Sequence, residues 1–75
     1  MLSEIASMMK FTTALLQARK YHMGISAIYI ASDTGLSIDD IQTRLSHWLR
    51  WGYVTENAGL YFLTDRGVEF INKLS

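Results

Sequence analysis

The spacing of apolar residues changes at Gly52, and this change constrains the fold more than any other feature of the sequence. Before Gly52, apolar residues recur at intervals near 3.6 residues, which is the period of an α-helix. After it, two runs rich in strand-forming residues, 53–55 and 60–63, flank turn residues at 57–59, and this pattern predicts a β-hairpin. The chain is therefore predicted to be mostly α with a small β-hairpin.

The first predicted helix occupies residues 1–23, with Ser3 as its N-cap and Gly24 as the residue that ends it. Its apolar residues form more than one stripe, and a helix that is apolar over most of its circumference is buried on more than one side. In a chain of 75 residues, a second copy is the expected cover, so the sequence predicts a homodimer. The predicted interface residues are Leu2, Ile5, Met9 and Leu16.

The rest of the chain, residues 25–75, is predicted to hold two further helices, the hairpin and a last helix. Ser26 is the expected N-cap of a helix at about 27–33, and Ser37 of a third helix at about 38–51, each followed by a glycine that supplies a left-handed turn. Thr64 is the expected cap of the last helix. The predicted buried face of the third helix comprises Ile38, Ile41, Leu45, Trp48 and Trp51.

Composition limits how so short a chain can be stabilised. About half of it is hydrophobic (49%), yet a single core of this size supplies only about 3–5 kcal/mol. There is no cysteine, so neither a disulfide nor a thiolate metal site can contribute, and self-association remains. Absence of cysteine fits a reducing compartment, which predicts a cytoplasmic protein. Charged residues interrupt the apolar N-terminal stretch, so neither a membrane span nor a signal peptide is expected.

The charges are balanced overall but unevenly distributed. Residues 1–25 carry three basic residues against one acidic, and residues 26–75 carry four basic against six acidic. A nucleic-acid-binding protein normally shows a basic surface, because phosphate contacts dominate its affinity. A dimer would build such a surface only by bringing together five basic residues, Lys10, Arg19, Lys20, Arg44 and Arg50.

Four short patterns identify a family resemblance. They are the aliphatic-small pair Ile30-Ala31, the turn Gly35-Leu36-Ser37, the Gly-aromatic-Val at 52–54, and Tyr-x-Leu-Thr-x-x-Gly at 61–67. With these patterns, residues 25–75 resemble the winged helix-turn-helix domain of MarR-, ArsR- and PadR-like transcriptional regulators. The resemblance implies one winged-helix domain over residues 1–75, in the order helix-helix-helix-β-hairpin-helix.

The resemblance also implies a function, namely a small dimeric DNA-binding protein that regulates transcription. In the family, the third helix enters the major groove of double-stranded DNA and the wing contacts its backbone. Gln42 would then pair with adenine, Arg44 with guanine, and hydroxyl side chains with phosphates. Paired third helices would read half-sites about one turn of DNA apart. The implied DNA-binding residues are Ser37, Asp39, Gln42, Thr43, Arg44, Ser46, His47 and Asn57.

Two aspartates at the start of the third helix leave an alternative open. Asp39 and Asp40 follow the predicted cap, where carboxylates favour helix initiation through the helix dipole, and Asp40 is placed to pair with Arg44. The same charges repel phosphate, and the predicted wing tip carries Glu56. The alternative is a winged-helix protein-interaction module without DNA binding, such as a phage or plasmid modulator of host machinery. Its partner would bind through exposed apolar residues, namely Ile28, Tyr29 and Leu49.

No pattern of catalytic or metal-binding residues is present in the sequence. His22 and His47 each stand alone, without a second ligand at metal-binding spacing. There is no nucleophile elbow and no Gly-rich phosphate loop. The sequence therefore predicts neither an enzyme nor a metal or cofactor site.

Overall fold

The computed structural model describes residues 2–74, with side chains from residue 5 onward. This part of the chain is mostly helical and contains a small antiparallel sheet, as the change of period predicts. The helices are α1 (Leu2–Lys20), α2 (Ala27–Thr34), α3 (Ile38–Arg50) and α4 (Asp65–Leu74). The strands are β1 (Ile25–Ser26), β2 (Val54–Asn57) and β3 (Leu60–Leu63), and their order in the sheet is β1-β3-β2.

The ends of α1 differ from the prediction. The helix already includes Ser3, so Ser3 is not its N-cap. At the other end His22, not Gly24, takes the left-handed conformation with φ 58°, and the Met23 N–H donates to the Ala18 carbonyl at 2.9 Å. This is a Schellman motif, which satisfies carbonyls that the helix end leaves free. Gly24 has a packing role instead, because a Cβ there would lie 2.6 Å from the Phe62 ring.

The predicted ends of the other helices are confirmed. Ser26, Ser37 and Thr64 each accept a hydrogen bond from the backbone N–H three residues later, at 3.2, 3.1 and 3.0 Å. Gly35 and Gly52 follow α2 and α3 with φ 78° and 80°. The three side-chain hydrogen bonds at the N-caps satisfy backbone N–H groups that the first turn of a helix would otherwise leave unpaired.

The hairpin is tighter than the sequence predicts. β2 runs to Asn57, which pairs with Leu60, so the connection is only Ala58-Gly59. Both residues have positive φ, 54° and 82°, as a type I′ turn requires. Tyr53, predicted to begin the strand, precedes it.

The sheet contains a third strand, β1, that the sequence does not predict. Ile25 pairs with Tyr61, and Ser26 pairs with Leu60, so β1 lies beside β3 at the edge of the sheet. Two residues are too few to show an alternation of apolar and polar side chains, so the sequence contains no periodic signal for this strand. The pairing connects the segment before α2 to the hairpin.

One core joins all four helices and the sheet. Trp48 of α3 is 5% exposed, and its ring makes edge-to-face contacts with Phe11, Tyr53 and Phe70 at centroid distances of 5.2, 5.6 and 5.6 Å. Its predicted role as a core anchor is confirmed. The other buried apolar side chains are Phe11, Ala14, Leu15, Ile25, Ala27, Ile30, Ile41, Leu45, Val54, Leu63 and Ile71.

Two residues of the predicted buried face of α3 are not buried. Ile38 is 37% exposed and Trp51 is 48% exposed. They occupy the first position of α3 and the position after its last residue. The prediction of their burial is wrong because periodicity identifies a face but not how far along it the neighbours extend.

Candidate nucleic-acid interface

One face of α3 is free of packing and points away from the core. Ile41, Leu45 and Trp48 bury the opposite face. At 100° per residue, the positions farthest from the core recur every three or four residues. All of them are exposed, and they form an outward row of Asp39, Thr43, Ser46 and Arg50.

The remaining predicted contact residues of α3 flank this row. Gln42 lies on one side and His47 on the other, and both are exposed. Ser37 is also exposed, but its hydroxyl oxygen caps the helix by accepting the Asp40 N–H at 3.1 Å. A cap at this point fixes where α3 begins and therefore which residues form its outward row.

Arg44 differs from its predicted arrangement. It is half-buried, and its Nη1 lies 3.8 Å from the sulfur of Met8 in α1. No ion pair joins it to Asp40 in the part of the chain that the structure describes. The guanidinium leans toward α1 and away from the outward row, so the predicted helical pair with Asp40 is wrong.

Two side chains on α3 already have partners. The Thr43 hydroxyl donates to the Asp39 carbonyl at 2.9 Å, which leaves its lone pairs, but not its proton, for a ligand. The His47 ring lies 5.6 Å from the ring of Trp51 with a tilt of 32°. Since Trp51 is about half exposed, the two rings form an aromatic surface at the C-terminal end of α3.

The hairpin presents little positive charge. Asn57 is exposed but belongs to β2, and the tip itself is Ala58-Gly59. The Glu56 carboxylate accepts the Gly59 N–H at 2.7 Å, which stabilises the turn and places an acid beside it. The hairpin turn therefore presents a carboxylate and no basic side chain to a ligand.

Arg50 belongs to the outward row, although it is not among the predicted DNA contacts. It is exposed at the C-terminal end of the outward row, and its side chain makes no hydrogen bond or ion pair with any described residue. Its spacing from Asp39, Thr43 and Ser46 is visible in the sequence, so helical periodicity was a sufficient signal. The row therefore carries a negative charge at its start and a positive charge at its end.

Arg19 already has partners within the fold, which offset part of its charge. Its Nη1 donates to the Leu63 carbonyl at 2.8 Å, and its Nη2 forms an ion pair with the Asp65 carboxylate. These contacts connect the last turn of α1 to the junction between β3 and α4. One of the five basic residues that a dimer was expected to bring together thus has a structural role.

The N-terminal half of α1 carries apolar side chains that no described residue covers. Ile5 and Met9 are 59% and 62% exposed, whereas Leu16 is partly buried and packs against the core. The side chain of Leu2 lies outside the described residues. The predicted dimer interface is therefore open to a partner at Ile5 and Met9, with Leu16 at its edge.

The residues predicted to suit a protein partner are exposed as well. Ile28 and Tyr29 at the start of α2 are 73% and 63% exposed, and Leu49 of α3 is 38% exposed. Large apolar side chains are usually buried, so the adjacent pair Ile28-Tyr29 is the more informative part of this set.

Neither a cluster of metal ligands nor a membrane-spanning helix occurs in the described residues. No three or more His, Cys, Asp or Glu side chains come together as metal ligands among residues with described positions. Within the same part of the chain, no helix combines the length and hydrophobicity needed to cross a bilayer. Comparison of the chain with protein-family models, curated proteins and solved structures gave no match.

Proposed function

We propose that this chain is a winged helix-turn-helix domain that binds double-stranded DNA as a homodimer and regulates transcription. The outward row of α3 carries the proposal. These side chains have no packing role, and the helix that bears them is fixed by a buried opposite face and a Ser37 cap. A rigid helix with one polar, solvent-facing side has the shape that fits the major groove.

The order of elements supports the same proposal. Three helices precede the β2–β3 hairpin and one follows it, which is the order that the resemblance implies. Thr64, part of the pattern that carries the resemblance, caps α4 and also donates to the Gly52 carbonyl at 2.7 Å. That bond connects the end of α3 to the end of the hairpin and orients one relative to the other.

The salt dependence of affinity tests DNA binding, because phosphate contacts are electrostatic. Labelled mixed genomic fragments are titrated with protein at about 50 and 200 mM salt, and binding is followed by fluorescence anisotropy. Six phosphate contacts would make the affinity about 10³-fold higher at the lower salt concentration. Arg50→Gln should reduce the slope of log affinity against log salt by about 0.9 for each phosphate that Arg50 neutralises. Lys73→Gln, at the end of α4, is the matched control and should leave the slope unchanged.

Substitution of Asp39 distinguishes two roles that this residue could have in a complex with DNA. If Asp39 serves only to initiate the helix, Asp39→Asn removes a repulsion and should tighten binding to every sequence alike. If Asp39 accepts a hydrogen bond from cytosine, the same change should weaken binding to the preferred site and not to random DNA. We propose the first role, because a carboxylate near a helix N-terminus is stabilising without any ligand.

A second candidate function is protein binding without affinity for DNA. The observation that favours it is the exposure of Ile28, Tyr29 and Leu49 together with acidic residues at the start of α3 and beside the hairpin turn. The salt titration distinguishes the two candidates. An absence of any salt-dependent complex at about 50 mM salt would reject DNA binding and leave the protein-binding function.

A further inference from the structure

A groove of about 460 Å³ lies between α1 and α2, away from the outward row of α3. Pockets for small molecules usually have volumes of roughly 300–1,000 Å³ and apolar linings with a few polar groups. This lining has that character, because buried Ala14 and Ile25 are joined by the exposed side chains of Tyr21, Met23 and Tyr29. The groove is therefore large enough for a small ligand, and a ligand that covers its apolar lining would gain binding free energy.

Asp33 gives the groove its charge. It is the sole charged residue among those that line the groove in the described part of the chain. Its carboxylate accepts no hydrogen bond and forms no ion pair with a described residue. Asp33 also lies in the last turn of α2, where the helix dipole disfavours a negative charge, and α2 has no basic residue in that turn to offset it. The local structure thus gives no stabilising reason for an acid at this position.

Aromatic rings provide the second element of recognition. Tyr29 precedes Asp33 by four residues, so the ring and the carboxylate are neighbours on one face of α2. Tyr21 faces the groove from the end of α1, and both tyrosines are more than 60% exposed, at 65% and 63%. The faces of aromatic rings carry negative potential and attract cations. The Lys20 ammonium illustrates this attraction, since it lies 5.9 Å from the centroid of the Tyr21 ring although Lys20 does not line the groove.

We propose that this groove binds a small organic cation, specifically a quaternary ammonium group attached to an apolar or aromatic body. The charge would lie near Asp33 and the tyrosine rings, and the body would cover Met23 and Leu60. A quaternary ammonium donates no hydrogen bonds, so one carboxylate and ring faces satisfy it without further acceptors. Binding of this cation is independent of whether α3 binds DNA.

Benzyltrimethylammonium is the probe, with benzyl alcohol as the neutral control and benzoate as the anionic one. Each is titrated at about 50 mM salt to limit screening, and amide NMR shifts locate the binding site. The cation should bind most tightly and benzoate least, with shifts at residues 13–33 and at Leu60 rather than in α3. Asp33→Asn should weaken binding of the cation about fivefold and leave benzyl alcohol unaffected.

Two more variants test the sign of the electrostatics. Lys20→Met removes a positive charge near the groove and should raise the affinity for the cation by a similar factor. If the groove recognised only apolar area, this substitution would leave the affinity unchanged. Tyr29→Leu keeps apolar area but removes a ring, so it should weaken the cation more than benzyl alcohol. Glu69→Gln, at an exposed position of α4 that does not line the groove, is the matched acidic control and should leave the affinity for the cation unchanged.

Several results would overturn the proposal. They are an absence of shifts at the groove, equal affinity for benzyl alcohol and the cation, or an unchanged cation affinity in Asp33→Asn. Because Asp33 is exposed and unpaired, its substitution should leave the circular dichroism spectrum as it is, so weaker binding reports on the ligand and not on folding.

Discussion

Gly67 in the first turn of α4 is the position where one added methyl group should be most harmful. A Cβ there would lie 2.6 Å from a Leu63 methyl group and well inside van der Waals contact of the Tyr53 carbonyl oxygen. A side chain can rotate away from such a contact, but a backbone oxygen cannot. The Tyr53 carbonyl also accepts the Thr64 N–H at 2.9 Å, so displacing it weakens the bond that holds α4 against the hairpin.

The decrease in the free energy of unfolding expected for Gly67→Ala has three contributions. Overpacking of a close contact costs about 1–3 kcal/mol, and a rigid backbone neighbour places this site at the upper end. Breaking the hydrogen bond adds about 1 kcal/mol. Replacing glycine by alanine within a helix recovers up to about 1 kcal/mol. The expected decrease in the free energy of unfolding is about 3 kcal/mol, which is most of what a core of this size supplies.

Urea denaturation followed by far-UV circular dichroism measures this decrease, with all proteins at one concentration because the stability of the proposed dimer would depend on concentration. Gly35→Ala is the matched control. Gly35 has φ 78° but nothing within 4 Å of an added Cβ, so only the left-handed conformation is penalised, by about 1–2 kcal/mol. A cost for Gly67→Ala no greater than that for Gly35→Ala would refute this reasoning.

Three further substitutions test local features. Ser37→Ala should lower the free energy of unfolding by about 1 kcal/mol because the Asp40 N–H loses its acceptor, and an unchanged urea midpoint would contradict the cap. Ala58→Asn should raise it by up to about 1 kcal/mol, since asparagine tolerates positive φ better, and a lower melting temperature would argue against the I′ turn. Met9→Glu should convert a dimer into a monomer in sedimentation experiments, whereas Asn72→Glu should not, and a dimer in both would remove α1 as the interface.

Features determined by neighbouring residues could be predicted from the sequence. The caps at Ser26, Ser37 and Thr64 depend on a hydroxyl and a backbone N–H three residues later, so the local pattern contains all that is needed. The same holds for the left-handed glycines after α2 and α3. Trp48 was predictable as a core residue because it shares a helical face with Ile41.

Features determined by distant residues could not be predicted in this way. Ile38 and Trp51 continue the pattern of the buried face, but their exposure depends on how far the other elements extend over α3. The left-handed residue at the end of α1 is His22, although a glycine stands two residues later. That glycine is required by the approach of the Phe62 ring, a contact across the fold that no local pattern contains.

The candidate site also combines features set by neighbouring residues with features set by distant ones. Helical periodicity identifies the outward row of α3, including Arg50. It does not reveal that Arg44 leans toward Met8 or that Arg19 is bound to Asp65, because both contacts join residues far apart in the chain. Charges counted along a sequence therefore overstate the number that a ligand can meet.

The pairing of β1 with β3 has a consequence for how the molecule opens. The hairpin closes through a two-residue turn, whereas β1 can reach β3 only when the whole intervening segment with α2 and α3 is folded back. Such long-range closure carries an entropic cost that local pairing avoids. We expect the β1–β3 amides to be protected from exchange with solvent until α2 and α3 also unfold, so that the hairpin behaves as part of one cooperative unit and does not fray on its own.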